Sequence, residues 1–253
     1  MKKLFIAATI TILSLSAFNG IAADDDAAMA ARINQLLQSV RGNPYDAVKD
    51  AGRKPAKTSQ FFGIKAGMTV LEMTAGSGYN AEILSAAVGP EGIVYAHNYH
   101  SVLRLIKGAH HQAMLSRLEN NRLPNVRYMV VDADDMPFVN DIDMAFWGFN
   151  LHDIYNESGE EAALIFLAGI ERALKPGGVL AISDHVGEAG NDNAKLHRIE
   201  PEIMKDLLRK AGFTIEATSD FLANPKDDHT RSIYDDDLRY MTDRILIRAR
   251  KAQ

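Results

Sequence analysis

Residues 70–84, VLEMTAGSGYNAEIL, constrain this chain more than any other segment. A short apolar run carrying one acid reaches a turn that holds Gly76 and Gly78, and the turn opens straight into helix-forming residues. A strand, a glycine turn and a helix start in that order place backbone N–H groups and a helix N-terminus against a ligand. Gly76, Gly78 and Ala81 also satisfy the dinucleotide spacing G-x-G-x-x-G/A. Glu72 argues for a different ligand. A carboxylate at the strand end repels a pyrophosphate but suits a molecule with an ammonium or sulfonium centre.

The same strand-helix alternation continues along the chain. Strands are expected over 70–73, 92–98, 126–133, 141–150 and 176–185, with helices starting near residue 80 and over 101–121 and 159–174. An amphipathic helix over 27–40 precedes them, with Ile33, Leu36, Leu37 and Val40 on one stripe. After a helix over 201–212, strands over 213–222 and 243–251 are joined by an irregular loop, which predicts an antiparallel pair. This is an α/β fold with a mostly parallel sheet, helices on both faces and ligands at the carboxyl ends of the strands. Phe146 and Trp147, inside an apolar strand, are expected in the core, and the neighbouring His110 and His111 on the surface.

The blocks IKAGMTVLEMTAGSG (64–78), VVDADDMPF (130–138), FNLHD (149–153) and LKPGGVLAISDH (174–185), with the closing strand pair, come in one order. On them the chain resembles the class I S-adenosylmethionine-dependent methyltransferases over nearly all of its length beyond residue 23. More narrowly, HRIEPEIMKDLLRKAGF and NPKDDHTRSIYDDDLRYMTDRILI resemble an exported group described as predicted methyltransferases. The resemblance implies a Rossmann-like seven-stranded sheet in a single domain, S-adenosylmethionine as cofactor, and an acceptor it does not identify. It assigns Glu72, Thr74, Ala75, Gly76 and Gly78 to the methionine and ribose side and Asn98 to the ribose. Asp132 with Ala133 falls beside the adenine, and Asn150 where the methyl donor faces the acceptor. Two positions depart from the family. Thr74 stands where a glycine is usual, and Asn98 where an acid grips both ribose hydroxyls, an exchange that weakens the contact by about 1 kcal/mol.

For chemistry, His152 is the candidate base, since imidazole titrates near neutrality and Asp153 beside it can orient the ring. Asp184, His185, His197, Arg198, Asp227, Asp228 and His229 lie in segments that can converge over the same pocket. No H-x-x-x-H or similar pair stands on one helix, so spacing assigns no metal site. Three readings follow: a methyltransferase acting on a small-molecule or envelope acceptor, a silent binding protein on the same fold, or a metal-assisted hydrolase.

The first 23 residues have the three parts of a cleavable secretory leader: Lys2 and Lys3, an apolar run over 4–18, and small residues ending at Ala22 and Ala23. A periplasmic protein without stable membrane insertion is expected. The chain has no Cys, which excludes a disulfide framework and a lipid-bearing cysteine. Its formal charge of −5 argues against a basic nucleic-acid face.

Overall fold

The computed structural model describes residues 14–253. Three helices come first: α1 (Ser14–Leu37), α2 (Ala47–Arg53) and α3 (Pro55–Phe62). The helix expected over 27–40 starts earlier and stops at Leu37, because Ser39 turns both its N–H and its hydroxyl back onto the Leu36 carbonyl. The charged start of the expected leader, residues 1–13, lies outside the described residues, and the small residues that end it lie within α1. Among the described residues no helix is long and apolar enough to cross a membrane.

β1 (Thr69–Met73), α4 (Tyr79–Val88) and β2 (Ile93–Asn98) form the first βαβ unit. The single helix expected over 101–121 is instead two, α5 (His100–Arg104) and α6 (Ala109–Leu118). They are separated by a 3-10 turn ending at Gly108, whose φ of 80° no α-helix accommodates. β3 (Val126–Val130), β4 (Ile142–Gly148), α7 (Leu151–Ala173) and β5 (Leu174–His185) follow. The helix expected from residue 159 begins at Leu151, and Gly159 is an internal break with φ 85°. The chain closes with α8 (Asn193–Leu196), α9 (Pro201–Lys210), β6 (Phe213–Ser219) and β7 (Arg244–Lys251).

The strands make one sheet in the order β3-β2-β1-β4-β5-β7-β6. Strands β1 to β5 pair in parallel, while β7 lies antiparallel between β5 and β6. Met29, Ile33, Phe62 and Leu84 cover one face; Leu167, Ile170, Met204 and Leu208 cover the other. Phe146 and Trp147, successive residues of β4, enter the two opposite cores as strand alternation requires. Chain order reverses between β1 and β4, which opens a crevice at the C-terminal ends of the strands.

Candidate active site

At that crevice the β1–α4 turn is built on positive φ angles, 55° at Thr74, 56° at Gly76 and 82° at Gly78. Thr74 is a β-branched residue in the left-handed region, and its buried hydroxyl has no partner, so strain is stored where a glycine would relieve it. His97 holds the turn from below. Its Nε2 donates to the Val131 carbonyl at 2.9 Å, leaving Nδ1 to accept from the Thr74 N–H at 3.5 Å, while its own carbonyl accepts from Ala75 at 2.7 Å. Burial pushes this ring down to about 4, so it stays neutral.

Asn98 is fully buried and does not reach out toward a ribose. Its Oδ1 accepts from the Gly76 N–H at 2.8 Å and its Nδ2 donates to the Gly76 carbonyl at 3.0 Å. This corrects the expectation of a ribose contact. The amide satisfies both backbone groups of a left-handed residue, which a carboxylate, having no donor, cannot do.

A buried ionic network braces the loop from the side. Arg117, 1% exposed, donates from Nε to the Ser77 carbonyl at 2.9 Å and pairs with Glu82 and, at 2.8 Å, with Asp46. Burial opposes charge on both carboxyls. Arg122 and Arg117 around Glu82, and Lys49 and Arg117 around Asp46, outweigh it and hold both below their ordinary values.

Glu72 is different. It is 1% exposed and neither carboxylate oxygen has a hydrogen-bond partner. Burial pushes it up to about 8, against which Arg117, Arg53 and the nearby Asn80 amide act only partly. A buried carboxylate without a partner beside a glycine turn is costly unless something pairs with it.

A cavity of about 470 Å³ is lined by Tyr99, Val102 and His110 together with Asn150, Asp153, His185 and His197. That volume suits a small molecule. Arg53 reaches into it between the rings of Tyr79 and Phe149, 4.6 and 4.8 Å from their centroids, without an ion pair among the described residues. His110 approaches within 3.8 Å of where a Gly76 Cβ would stand, and His111 bonds the Tyr128 hydroxyl at 3.0 Å. Neither is the surface residue expected, because the Gly108 break turns α6 back over the glycine loop.

His152 is 1% exposed, and its main partner is Asp184 rather than Asp153. Its Nδ1 donates to Asp184 Oδ1 at 2.6 Å and its backbone N–H to Oδ2 at 2.9 Å, while Nε2 lies 3.0 Å from Asp153 without the alignment of a hydrogen bond. Burial opposes the charged ring. Asp184 and Asp153 outweigh burial and push it up to about 10. The two carboxylates thus favour the charged ring, whereas a base needs the neutral one. His185 behaves oppositely. Burial and the charges of His152, Arg244, Arg53 and Arg198 hold it well below its usual value, with Nδ1 on the Thr242 hydroxyl at 2.6 Å.

The remaining candidates divide. Asn150 and Asp153 line the cavity, and His197 joins Asp153 at 2.8 Å. Asp132 is exposed, accepting from the His100 backbone at 3.1 Å, and Ala133 is buried against Gly169; both stay at the β3 end. Arg198 and Asp227 form a fully buried pair at 2.8 Å, and His229 bonds Asp243 at 2.9 Å, so these hold the long β6–β7 loop rather than face the cavity. Asp228 is exposed in that loop. Sequence reasoning missed Arg53, His97 and Arg117. A positive charge among apolar and turn residues was the only signal for Arg53, and it named no partner.

The family model for protein-L-isoaspartate(D-aspartate) O-methyltransferase matches residues 38–134. Curated relatives named ubiquinone/menaquinone biosynthesis C-methyltransferase UbiE, from Coxiella burnetii, are 26% identical over 120 residues. That match takes in 47% of this chain and 43% of theirs, so the chain spans less than half of those relatives' length. A SAM-dependent methyltransferase from Aquifex aeolicus superposes with a TM-score of 0.60 at 22% identity, covering 87% of this chain and 97% of that one. The [4+2]-cyclase SpnF superposes at 0.59 with 21% identity over 80% and 81%.

Proposed function

This chain has the class I S-adenosylmethionine-dependent methyltransferase fold, and from that premise we propose that it transfers a methyl group to an acceptor held in the cavity lined by Asn150 and His185. The observation that carries this reading is Glu72, a buried carboxylate without a partner at the end of β1. It fits the ammonium of S-adenosylmethionine, whose bound sulfonium supplies an electrophilic methyl group. Thr74, Ala75, Gly76 and Gly78 offer backbone around that end, Asp132 and Ala133 stand on the adenine side, and Asn150 faces the cavity. Asn98 contributes by fixing Gly76.

The cavity then positions the acceptor and excludes water. Phe149, Tyr99 and Tyr234 offer apolar walls and Arg53 an unpaired positive charge. An acceptor with a flat apolar body and an anionic group matches that lining. With Nδ1–H given to Thr242, His185 Nε2 accepts the proton the acceptor loses. His152, its Nδ1 hydrogen-bonded to Asp184, positions these groups. The acceptor belongs to the cell envelope if residues 1–23 act as the leader their pattern describes.

Incubation with S-adenosylmethionine and envelope extract, read as S-adenosylhomocysteine formed, tests the proposal. Wild type is expected to form product, and His185→Ala to form it about 100-fold more slowly with cofactor affinity unchanged. Equal rates would remove His185 from the chemistry. Cofactor bound without any product would support the second reading, a binding protein on this fold, which Asn98's withdrawal from the ribose position favours.

A further inference from the structure

Where α7 begins, two of its side chains meet a third from the end of α8 at the cavity wall. His152 Nε2 lies 3.0 Å from Asp153 Oδ1, His197 Nδ1 lies 2.8 Å from the same oxygen, and the three ligating atoms are all within 4.8 Å of one another. That spacing lets modest side-chain rotations bring all three to one ion at bond lengths of about 2.0–2.2 Å.

Two features separate this cluster from an ordinary group of polar residues. His152 is 1% exposed, yet its Nε2 has no hydrogen-bond partner, while Nδ1–H is committed to Asp184. A carboxylate behind a histidine fixes the ring and leaves the other nitrogen to bind a metal. Asp184 itself is fully used, accepting from the His152 and His185 backbones as well, so it acts behind the ligands rather than among them. His197 is held with φ 57° at the end of α8, left-handed backbone in a residue that is not glycine. This aims its ring at Asp153, and Asp153 and His197 both line the cavity.

We propose that His152, Asp153 and His197 bind one divalent zinc ion, with its open positions facing the cavity. Two imidazoles and one carboxylate form a borderline donor set, and three protein ligands with an open face are the pattern of a reactive rather than a structural zinc. The ion takes the place of two protons, the one on His152 Nε2 and the one His197 Nδ1 gives to Asp153, and both leave to solvent, with the neutral His197 ring keeping its remaining hydrogen on Nε2. Where the cavity receives the acceptor, a step that rests on the methyltransferase reading, the ion binds an acceptor oxygen and favours loss of its proton.

The test is calorimetric titration of the chelator-treated full chain with zinc chloride, with metal content measured after dialysis. One zinc per chain is expected, with affinity at least about 100-fold weaker in His197→Ala and about 10- to 100-fold weaker in Asp184→Asn. His229→Gln, at a histidine paired with Asp243 away from the cluster, should bind as wild type. No stoichiometric zinc in a chain with native circular dichroism would overturn the proposal, as would unchanged affinity in a His197→Ala variant with native circular dichroism, His197 being half-buried and outside the apolar cores. Gly76→Arg separates the two proposals, because it should abolish cofactor binding and leave zinc binding intact.

Discussion

On the proposed reading, Glu72 couples stability to cofactor binding. Its folded pKa of about 8 stands above the ordinary 4.5 because burial disfavours the charge. A carboxyl raised in this way binds its proton more tightly when folded, so its contribution to stability is full below the ordinary value and is lost as pH rises through 8. Thermal unfolding of the ligand-free protein should show this loss between pH 5 and 8, and Glu72→Gln should flatten it. At pH 8 the variant is expected to melt about 3 °C higher or more, while binding S-adenosylmethionine at least about tenfold more weakly, since a charged hydrogen bond is lost. A variant that melts with the wild-type pH profile would show that Glu72 is not strained in the folded chain. The place of the acid at the strand end before the glycines was legible in the sequence, and its burial without a partner was not. The role of Asn98 was not. Its position matched a ribose contact, but the two backbone groups of Gly76 claim its amide, and that competition exists only in three dimensions. The meeting of His152, Asp184 and His197 was likewise hidden, since these residues come from the ends of three separate elements.

At the level of elements, the glycine turn depends on helices far from it in sequence. α6 delivers Arg117 to the Ser77 carbonyl, and the segment before α2 delivers Asp46 to Arg117. Replacing Arg117 with Met would leave Glu82 and Asp46 buried with less compensation, a change of about 3–5 kcal/mol for a broken buried pair. Chemical denaturation should register that loss, and the melting temperature should fall by about 10 °C. Cofactor affinity at a temperature where the variant is folded should also fall, because the turn loses its lateral support. An unchanged denaturation midpoint would mean that the network contributes nothing to the turn. Strand and helix alternation was readable from apolar periodicity. The breaks at Gly108 and Gly159 were not, since an isolated glycine in a helical pattern reads as tolerated until its φ is known.

For the whole molecule, the sheet order follows from right-handed βαβ crossovers about a central β1, with β7 inserted antiparallel beside β5. That order puts the glycine turn and the β4 and β5 ends on one rim, so the residues proposed to hold cofactor and acceptor converge there. Export is a proposal at this same scale. Fractionation with N-terminal sequencing should find a periplasmic chain beginning at Asp24, and a cytoplasmic chain still carrying Lys2 and Lys3 would contradict it. The central claim is the cofactor site. Its most direct test is calorimetric titration of the protein with S-adenosylmethionine beside the Gly76→Arg variant, whose side chain would fill the open face of the turn. Micromolar binding by the wild type, lost in the variant, is the predicted result. No binding by the folded wild type, or equal binding by both, would contradict it.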